Sequence, residues 1–179
     1  MIVDRAVDVF WKHGSDNATT RVLENELGIK QSSIYNTFGS KQGLLDRAID
    51  RYIERIDDEV VSPLDQAGAG ASELNEFLDR LMDWISDQDQ PGCLLLNTLG
   101  ERQRTDPNLV SRAHDYRDRL RRVFRAALSS HGEAEADARA EMLLASVLGI
   151  NISAYGGATV DELTALSNGL RSQIAEWTA

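Results

Sequence analysis

The sequence predicts an all-α protein of about nine helices. Three observations carry that expectation. Apolar residues recur at three- and four-residue steps along most of the 179 positions, no stretch of useful length alternates as a strand does, and no internal repeat is present. With 42% hydrophobic residues and only three prolines, the chain can bury a proper core and remain helical. Its punctuation separates residues 1–50, a compact head, from residues 51–179, a larger helical body.

The first helix runs on Ile2, Ala6 and Phe10 toward Gly14. Thr19 or Thr20 can N-cap a second helix with Ala18, Val22, Leu23 and Leu27 inward, because a side-chain oxygen there accepts from an amide that has no helical partner. Gly28 supplies the backbone freedom of a tight turn between helices, and Ile29 plugs that turn into the core. Ile34 and Phe38, four apart, make the buried side of a third helix. Gly39 ends it, and Ser40 caps the next. Gln31, Ser32, Ser33, Tyr35, Asn36 and Thr37 are left pointing outward. No acidic residue occurs between Leu27 and Leu45, in a chain of net charge −10, while Lys30 and Lys41 add positive charge. Such side chains hydrogen-bond to phosphates and base edges, and a helix carrying them fits the major groove. The expectation is a helix-turn-helix head. Gln31, Ser32, Ser33 and Asn36 are assigned to base edges or nearby sugar-phosphate, and Thr20, Arg21, Lys30, Tyr35, Thr37 and Lys41 to phosphates.

These residues resemble the N-terminal domain of TetR-type transcriptional regulators. Ile2, Ala6, Phe10 and Gly14, then Thr19-Thr20, Gly28-Ile29, Tyr35-Asn36-Thr37-Phe38 and Ser40-Lys41-Gln42-Gly43-Leu44-Leu45 match the family pattern in order, spacing and type. The resemblance covers nearly all of the first fifty residues. It implies a sequence-specific regulator, most often a repressor, that dimerises through its last two long helices. It also implies a small-molecule pocket among the fourth to eighth helices, whose occupant shifts the fourth helix and spreads the two heads. Two departures stand out. Lys30 occupies the recognition-helix N-cap, where the family usually has Ser or Thr; lysine accepts no hydrogen bond, which costs about 1 kcal/mol unless a phosphate contact compensates. The chain also opens at Met1-Ile2, where family members carry a short basic lead-in.

Composition narrows the function further. A single cysteine, Cys93, excludes an intramolecular disulfide and fits a reducing cytoplasm. No charged-then-apolar segment opens the chain. Its longest apolar stretch, Met142 to Ala154, is shorter than the roughly 20 residues that span a bilayer, so no membrane is expected. His13, His114 and His131 lie far apart without metal-ligand spacing, Cys93 has no cationic neighbour in sequence, and no glycine loop cradles phosphates. Neither an enzyme nor a cofactor or metal is expected. Residues 1–50 hold six Lys/Arg against seven Asp/Glu, and residues 51–179 thirteen against twenty-two. The negative charge therefore sits mainly in the body, which weakens non-specific phosphate binding and leaves discrimination to direct contacts.

Beyond the head, Leu44, Leu45, Ala48, Tyr52, Ile56 and Val60 stripe a fourth helix from Lys41 toward Pro63, shared between head and body. Residues 64–71 read as a flexible connection, and Ser72 caps a helix with Leu74, Phe77, Leu78, Leu81, Trp84 and Ile85 inward. A break from Asp87 to Gly92 precedes a short apolar helix over Cys93–Leu99, whose Pro-Gly-Cys-Leu-Leu-Leu-Asn opening resembles the sixth helix of the family. Asp106-Pro107 opens a long helix in cap-then-proline order. Its Arg112, Arg117, Arg119, Arg121, Arg122 and Arg125 suit a solvated face better than a second nucleic-acid surface, with Asp115–Arg119 and Asp118–Arg122 as i, i+4 pairs.

The last two helices carry the second functional clue. From Met142 to Ala154 the chain is apolar nearly all round and must be covered on every side. Leu144, Leu148 and Ile152 are expected to face the body. Ala145, Gly149, Ser153 and Gly157 form a row of small residues, and Leu163, Leu166, Leu170, Ile174 and Trp177 stripe the final helix. Ala145, Gly149, Ser153, Leu163, Leu166, Leu170 and Ile174 are the expected homodimer contacts, in a four-helix bundle. A twofold dimer places two recognition helices about 34–36 Å apart and calls for a palindromic operator on double-stranded DNA. Phe77, Leu81, Trp84, Asn97, Tyr116, Met142 and Asn151, inward stripes with an occasional polar group, are candidates to line a pocket for an at least partly apolar effector; plain core residues are the alternative for each. An interaction or sensor module that keeps the fold without binding DNA is the alternative for the whole chain.

Overall fold

The computed structural model describes residues 1–87, 92–101, 106–129 and 132–179. Among them lie nine α-helices: α1 (Ile2–Asn17), α2 (Thr20–Leu27), α3 (Gln31–Phe38), α4 (Lys41–Ile56), α5 (Ala71–Asp87), α6 (Leu94–Glu101), α7 (Pro107–Ala127), α8 (Glu133–Tyr155) and α9 (Val160–Trp177). No strand occurs among the described residues. Most of the expected break after α5, with the Pro91 of the Pro-Gly-Cys motif, and the turn at His131 lie outside them.

The chain divides into two compact units, Met1–Arg55 with Leu94–Ala113, and Ile56–Cys93 with His114–Ala179. The division falls inside α4 and α7. It differs from a simple cut after residue 50 because α6 and the start of α7 join the head.

In the first unit α1 packs on α2 and α6, and α2 on α3. Ala6, Val7, Phe10, Leu23, Leu27, Ile34, Leu44, Leu45, Ala48, Ile49 and Tyr52 are buried, and the Trp11 and Tyr52 rings meet edge to face at 5.1 Å. The cap residues act as their chemistry requires. Thr19 Oγ1 accepts from the Val22 amide at 3.3 Å, Ser40 Oγ from Gly43 at 2.9 Å, and Asp106 from Asn108 and Leu109 at 3.0 and 3.2 Å. Gly28 and Gly39 end their helices at φ +68° and +76°.

Gly14 interrupts α1 at φ +76°. Just past it the Ser15 amide donates to Glu101 Oε2 of α6 at 2.7 Å, and a Cβ on residue 14 would sit 2.6 Å from Glu101 Oε1. The α6–α7 segment is tied further by Gln42 to Asp106 at 2.9 Å and by Arg112 to Asp50 at 2.6 Å. These bonds explain why residues 94–113 belong with the head. Sequence periodicity cannot register them, because each joins residues more than sixty positions apart.

In the second unit α5 packs on α9 and α8 on α9. Leu74, Phe77, Leu78, Leu81, Phe124, Leu143, Leu144, Val147 and Ile174 are buried, with the Phe77 and Phe124 rings edge to face at 5.2 Å. The stripe of α4 is buried through Val60 as expected, yet the regular helix stops at Ile56. It continues as a π-helical turn, Asp57–Val61, and a 3-10 turn, Ser62–Asp65. Arg80 donates to the Glu59 carbonyl and to Ser62 Oγ, both at 3.2 Å, and Arg119 grips Asp65 at 2.7 Å and Asp57 at 3.2 Å. Those carboxylates, Asp65 first, push the Arg119 guanidinium above its ordinary value. Leu64 is buried, so the connection begins later than the sequence suggests. Helix α5 starts at Ala71 rather than after Ser72, with the Gly70 amide donating to Glu73 at 2.8 Å.

The α7 arginines do lie on an ion-paired face, but most of their partners are on other elements. Arg119 bonds to Asp57 and Asp65 instead of Asp115, Arg121 to Glu141, Arg125 to Asp137, and Asp118 pairs with Arg121 instead of Arg122. Long guanidinium side chains take the partner with the better fork geometry over the one four residues along.

Helix α8 corrects one expectation. Leu143, Leu144, Val147, Ile150, Asn151 and Ala154 form its buried side, whereas Ile152, expected to face the body, is 64% exposed. At about 100° per residue Ile152 falls on the opposite side from Leu143.

Gly14→Ala should destabilise the protein by about 1–3 kcal/mol through the positive φ and the clash with Glu101. In a double-mutant cycle read by urea midpoints, Glu101→Ala should absorb part of that loss. An unchanged midpoint for Gly14→Ala would contradict this account of the kink.

Candidate nucleic-acid interface and sensor core

An eight-residue helix is too short to persist in isolation, so α3 depends on its attachments. Ile34 is completely buried and Phe38 half-buried, which fixes one side of the helix to the head. At the start of α4, a Cβ on Gly43 would lie 2.0 Å from the Phe38 carbonyl oxygen. Gly43 is thus the residue that lets the end of α3 lie against α4. A glycine inside a helix is the sequence signal for such an approach, since it otherwise weakens the helix.

The opposite side of α3 is open. Gln31, Ser32, Ser33, Asn36 and Thr37 are exposed, as is Tyr35, and Lys30 and Arg21 are exposed beside them. Thr20 is half-buried at the start of α2. The structure brings all these candidates to the α2–α3 surface with no carboxylate on α3 itself. Lys41 is different. Its ammonium donates to the main-chain carbonyls of Ser15 at 2.8 Å and Asp16 at 3.4 Å, so it closes the kinked end of α1.

Lys30 makes no side-chain cap bond, in line with its chemistry. The sequence reading missed what replaces it: a carboxylate oxygen of Glu24, on α2, accepts the Gln31 amide. On the far side of α2, Glu26 takes His13 Nε2 at 2.8 Å, with Lys12 at 3.8 Å, while Arg5 donates to the Glu26 carbonyl. The bond from His13 holds the Glu26 carboxyl below its usual range.

In the second unit, the pocket candidates Phe77, Leu81 and Trp84 are buried along α5, and Asn151 is buried on α8. Asn151 Nδ2 donates to the Val147 carbonyl at 3.0 Å, while its Oδ1 is buried without a hydrogen-bond partner among the described residues. Burial pushes the Tyr116 phenol well above its ordinary value, with the neighbouring Cys93 and Asp57 adding to the shift. Two candidates fall elsewhere. Met142 is 48% exposed on the outer side of α8, and Asn97 belongs to the first unit.

On that outer side, Met142, Ala145, Gly149 and Ile152 form an exposed stripe, with Leu166 exposed on α9. A shallow groove of about 250 Å³ runs beside it, lined by Ser146, Gly149, Ile150, Ser153, Leu166, Leu170 and Gln173. Leu163, Leu170 and Ile174, expected at the dimer contact, are already buried within the chain's own core. Among the described residues no helix is long and apolar enough to cross a membrane.

Two short helices set by a glycine turn, the second open on one side, make a helix-turn-helix. Residues 2–48 match the family described as bacterial regulatory proteins, tetR family. The chain is 26% identical over 170 residues to the HTH-type transcriptional repressor ComR of Escherichia coli (strain K12), covering 90% of this chain and 81% of that protein. A TetR transcriptional regulator from Chloroflexus aurantiacus J-10-FL superimposes with a TM-score of 0.83 at 23% identity, over 97% of this chain and 92% of its own. AibR, solved in complex with isovaleryl coenzyme A and operator DNA, does so with a TM-score of 0.72 at 13% identity, over 96% and 95%. Residues 2–48 thus match the tetR-family helix-turn-helix, and the chain as a whole shares the all-α fold of solved TetR regulators. These matches place its helix-turn-helix among those of bacterial transcription regulators.

Lys41→Met should lower the thermal midpoint by releasing the end of α1, and should leave the salt dependence of DNA binding unchanged. A salt slope reduced by about one would return Lys41 to the phosphate contacts.

Proposed function

We propose that the protein is a cytoplasmic homodimeric repressor that binds a palindromic operator through α3 and leaves it when a small, partly apolar effector enters the body. The observation that carries the reading is the division of α3 into a wholly buried Ile34 and an exposed, carboxylate-free set of Gln31, Ser32, Ser33, Tyr35, Asn36 and Thr37. Gln31, Ser32, Ser33 and Asn36 read base edges; Thr20, Arg21, Lys30, Tyr35 and Thr37 hold the backbone.

Pairing is supported by the outer side of α8 and α9. Met142, Ile152 and Leu166 expose apolar surface around Ala145, Gly149 and Ser153, small enough for two helices to approach closely. The operator and repressor assignments follow the proteins this chain resembles, ComR being a repressor and AibR having been solved with operator DNA. Effector control is supported by the buried aromatic rings of Phe77 and Trp84 and by the buried Asn151 Oδ1, which has no hydrogen-bond partner among the described residues. AibR was solved with an acyl coenzyme A. Release requires about 1–3 kcal/mol of differential binding between the two states, transmitted along α4.

A mobility-shift assay with the DNA flanking the gene tests the reading: a retarded band competed by itself and not by random duplex supports it, and equal competition refutes it. Ile152→Arg should give a monomer by sedimentation and weaken operator binding by about 100-fold or more, since the second head no longer binds intramolecularly. Tyr35→Ala should weaken binding to all sequences alike, whereas Gln31→Ala should relax preference at one position. Uniform loss for Gln31→Ala would remove it from the base-reading set.

A further inference from the structure

The first turn of α3 is held by a residue outside it. Amides at a helix start have no partner within the helix, and the residue at the N-cap normally supplies an acceptor. Thr19 does so for α2, Ser40 for α4 and Thr159 for α9. At α3 the position is Lys30, whose ammonium can only donate. The Lys30 carbonyl takes the Ser33 and Ile34 amides at 2.8 and 3.3 Å, and the Gln31 amide, which lies ahead of those an N-cap side chain reaches, goes to Glu24, seven residues back on α2. A carboxylate in that place also meets the positive end of the helix dipole.

The same carboxylate stands beside the residues that enter the groove first. In helix-turn-helix proteins the N-terminal residues of the second helix contact the base edges, and here those are Gln31 and Ser32. A frayed first turn would have to be ordered at the moment of binding, at the expense of complexes that depend on base contacts. Complexes with random DNA rest on charge and phosphates, gain nothing from an ordered first turn, and are opposed by a negative charge in the contact surface.

We propose that Glu24 is a positioning residue for operator discrimination: its carboxylate fixes the first turn of α3 for base reading, and its charge opposes DNA held by phosphates only. The proposal rests on the operator-binding function and deepens it. Glu24 acts through the Gln31 main chain and need touch no base.

The test measures dissociation constants of the full-length dimer for operator and for random duplex of equal length, over a range of salt, together with amide exchange at Gln31. Glu24→Gln keeps an acceptor and removes the charge; Glu24→Ala removes both; Lys30→Ser in the Glu24→Ala background returns a cap from the usual position. Both single variants should bind random DNA about two- to fivefold more tightly at low salt, a gain that fades as salt rises. The operator-to-random ratio should fall about tenfold in Glu24→Ala and less in Glu24→Gln. Exchange at Gln31 should quicken in Glu24→Ala. Lys30→Ser, whose Oγ reaches the Ser32 and Ser33 amides, should restore much of the ratio while exchange at Gln31 stays quick, and affinity for all DNA drops with the lost cation.

An unchanged ratio in Glu24→Ala, unchanged exchange at Gln31 in Glu24→Ala, or no recovery of the ratio with Lys30→Ser would overturn the assignment. A merely structural carboxylate would lower affinity for both duplexes together. Absence of operator preference in the wild type would sink the function itself, and this role with it; a flat ratio across variants of a discriminating wild type would sink this role only.

Discussion

The proposed recognition depends on an eight-residue helix that cannot hold itself. Nucleating a helix costs more than two turns return, so α3 keeps its shape only through what it is fastened to. Ile34 anchors the middle, Phe38 and the close approach at Gly43 anchor the end, and Glu24 anchors the start. These attachments occupy one side and both ends of the helix. What remains is a strip of short polar side chains and one tyrosine, with no core duty to perform, and that is what leaves them available to DNA.

Much of the head could be read before its structure was known, for an identifiable reason. Thr19, Gly28, Gly39, Ser40 and the Asp106-Pro107 pair act within three or four residues of themselves, so their chemistry predicts their place. Ile34, Leu23 and Leu27 follow from helical spacing. The reading failed wherever a side chain had a choice of partners across the fold. The π-helical turn after Ile56 is stabilised by Arg80 and Arg119 from distant elements, and nothing in the local stripe of Ile56 and Val60 announces it. Arg119 preferred Asp57 and Asp65 to its neighbour Asp115 for the same reason. Glu24 looked like an ordinary surface carboxylate because its acceptor role appears only when α2 and α3 meet. On an apolar helix such as α8, periodicity could not say which side the body covers, and Ile152 was placed on the wrong one.

The acidity of the chain is also easier to understand from its contacts. Asp50, Asp57, Asp65, Glu141 and Asp137 are engaged by arginines of α7, and Asp79 by Arg171. Partly exposed pairs of this kind contribute little to stability singly, about 0–1 kcal/mol each. Their effect is to set positions and to offset much of the negative charge locally. Charge therefore does not attract this protein to DNA in general. In the proposed function its preference comes from the shape and hydrogen bonding of α3, and from two copies acting together.

Selection from a random duplex library by the purified protein tests that claim most directly. The account predicts enrichment of an inverted repeat whose half-sites are centred one helical turn apart, about 10 base pairs or a multiple of it. Enrichment of a single unpaired half-site, or of nothing above the starting pool, would contradict it.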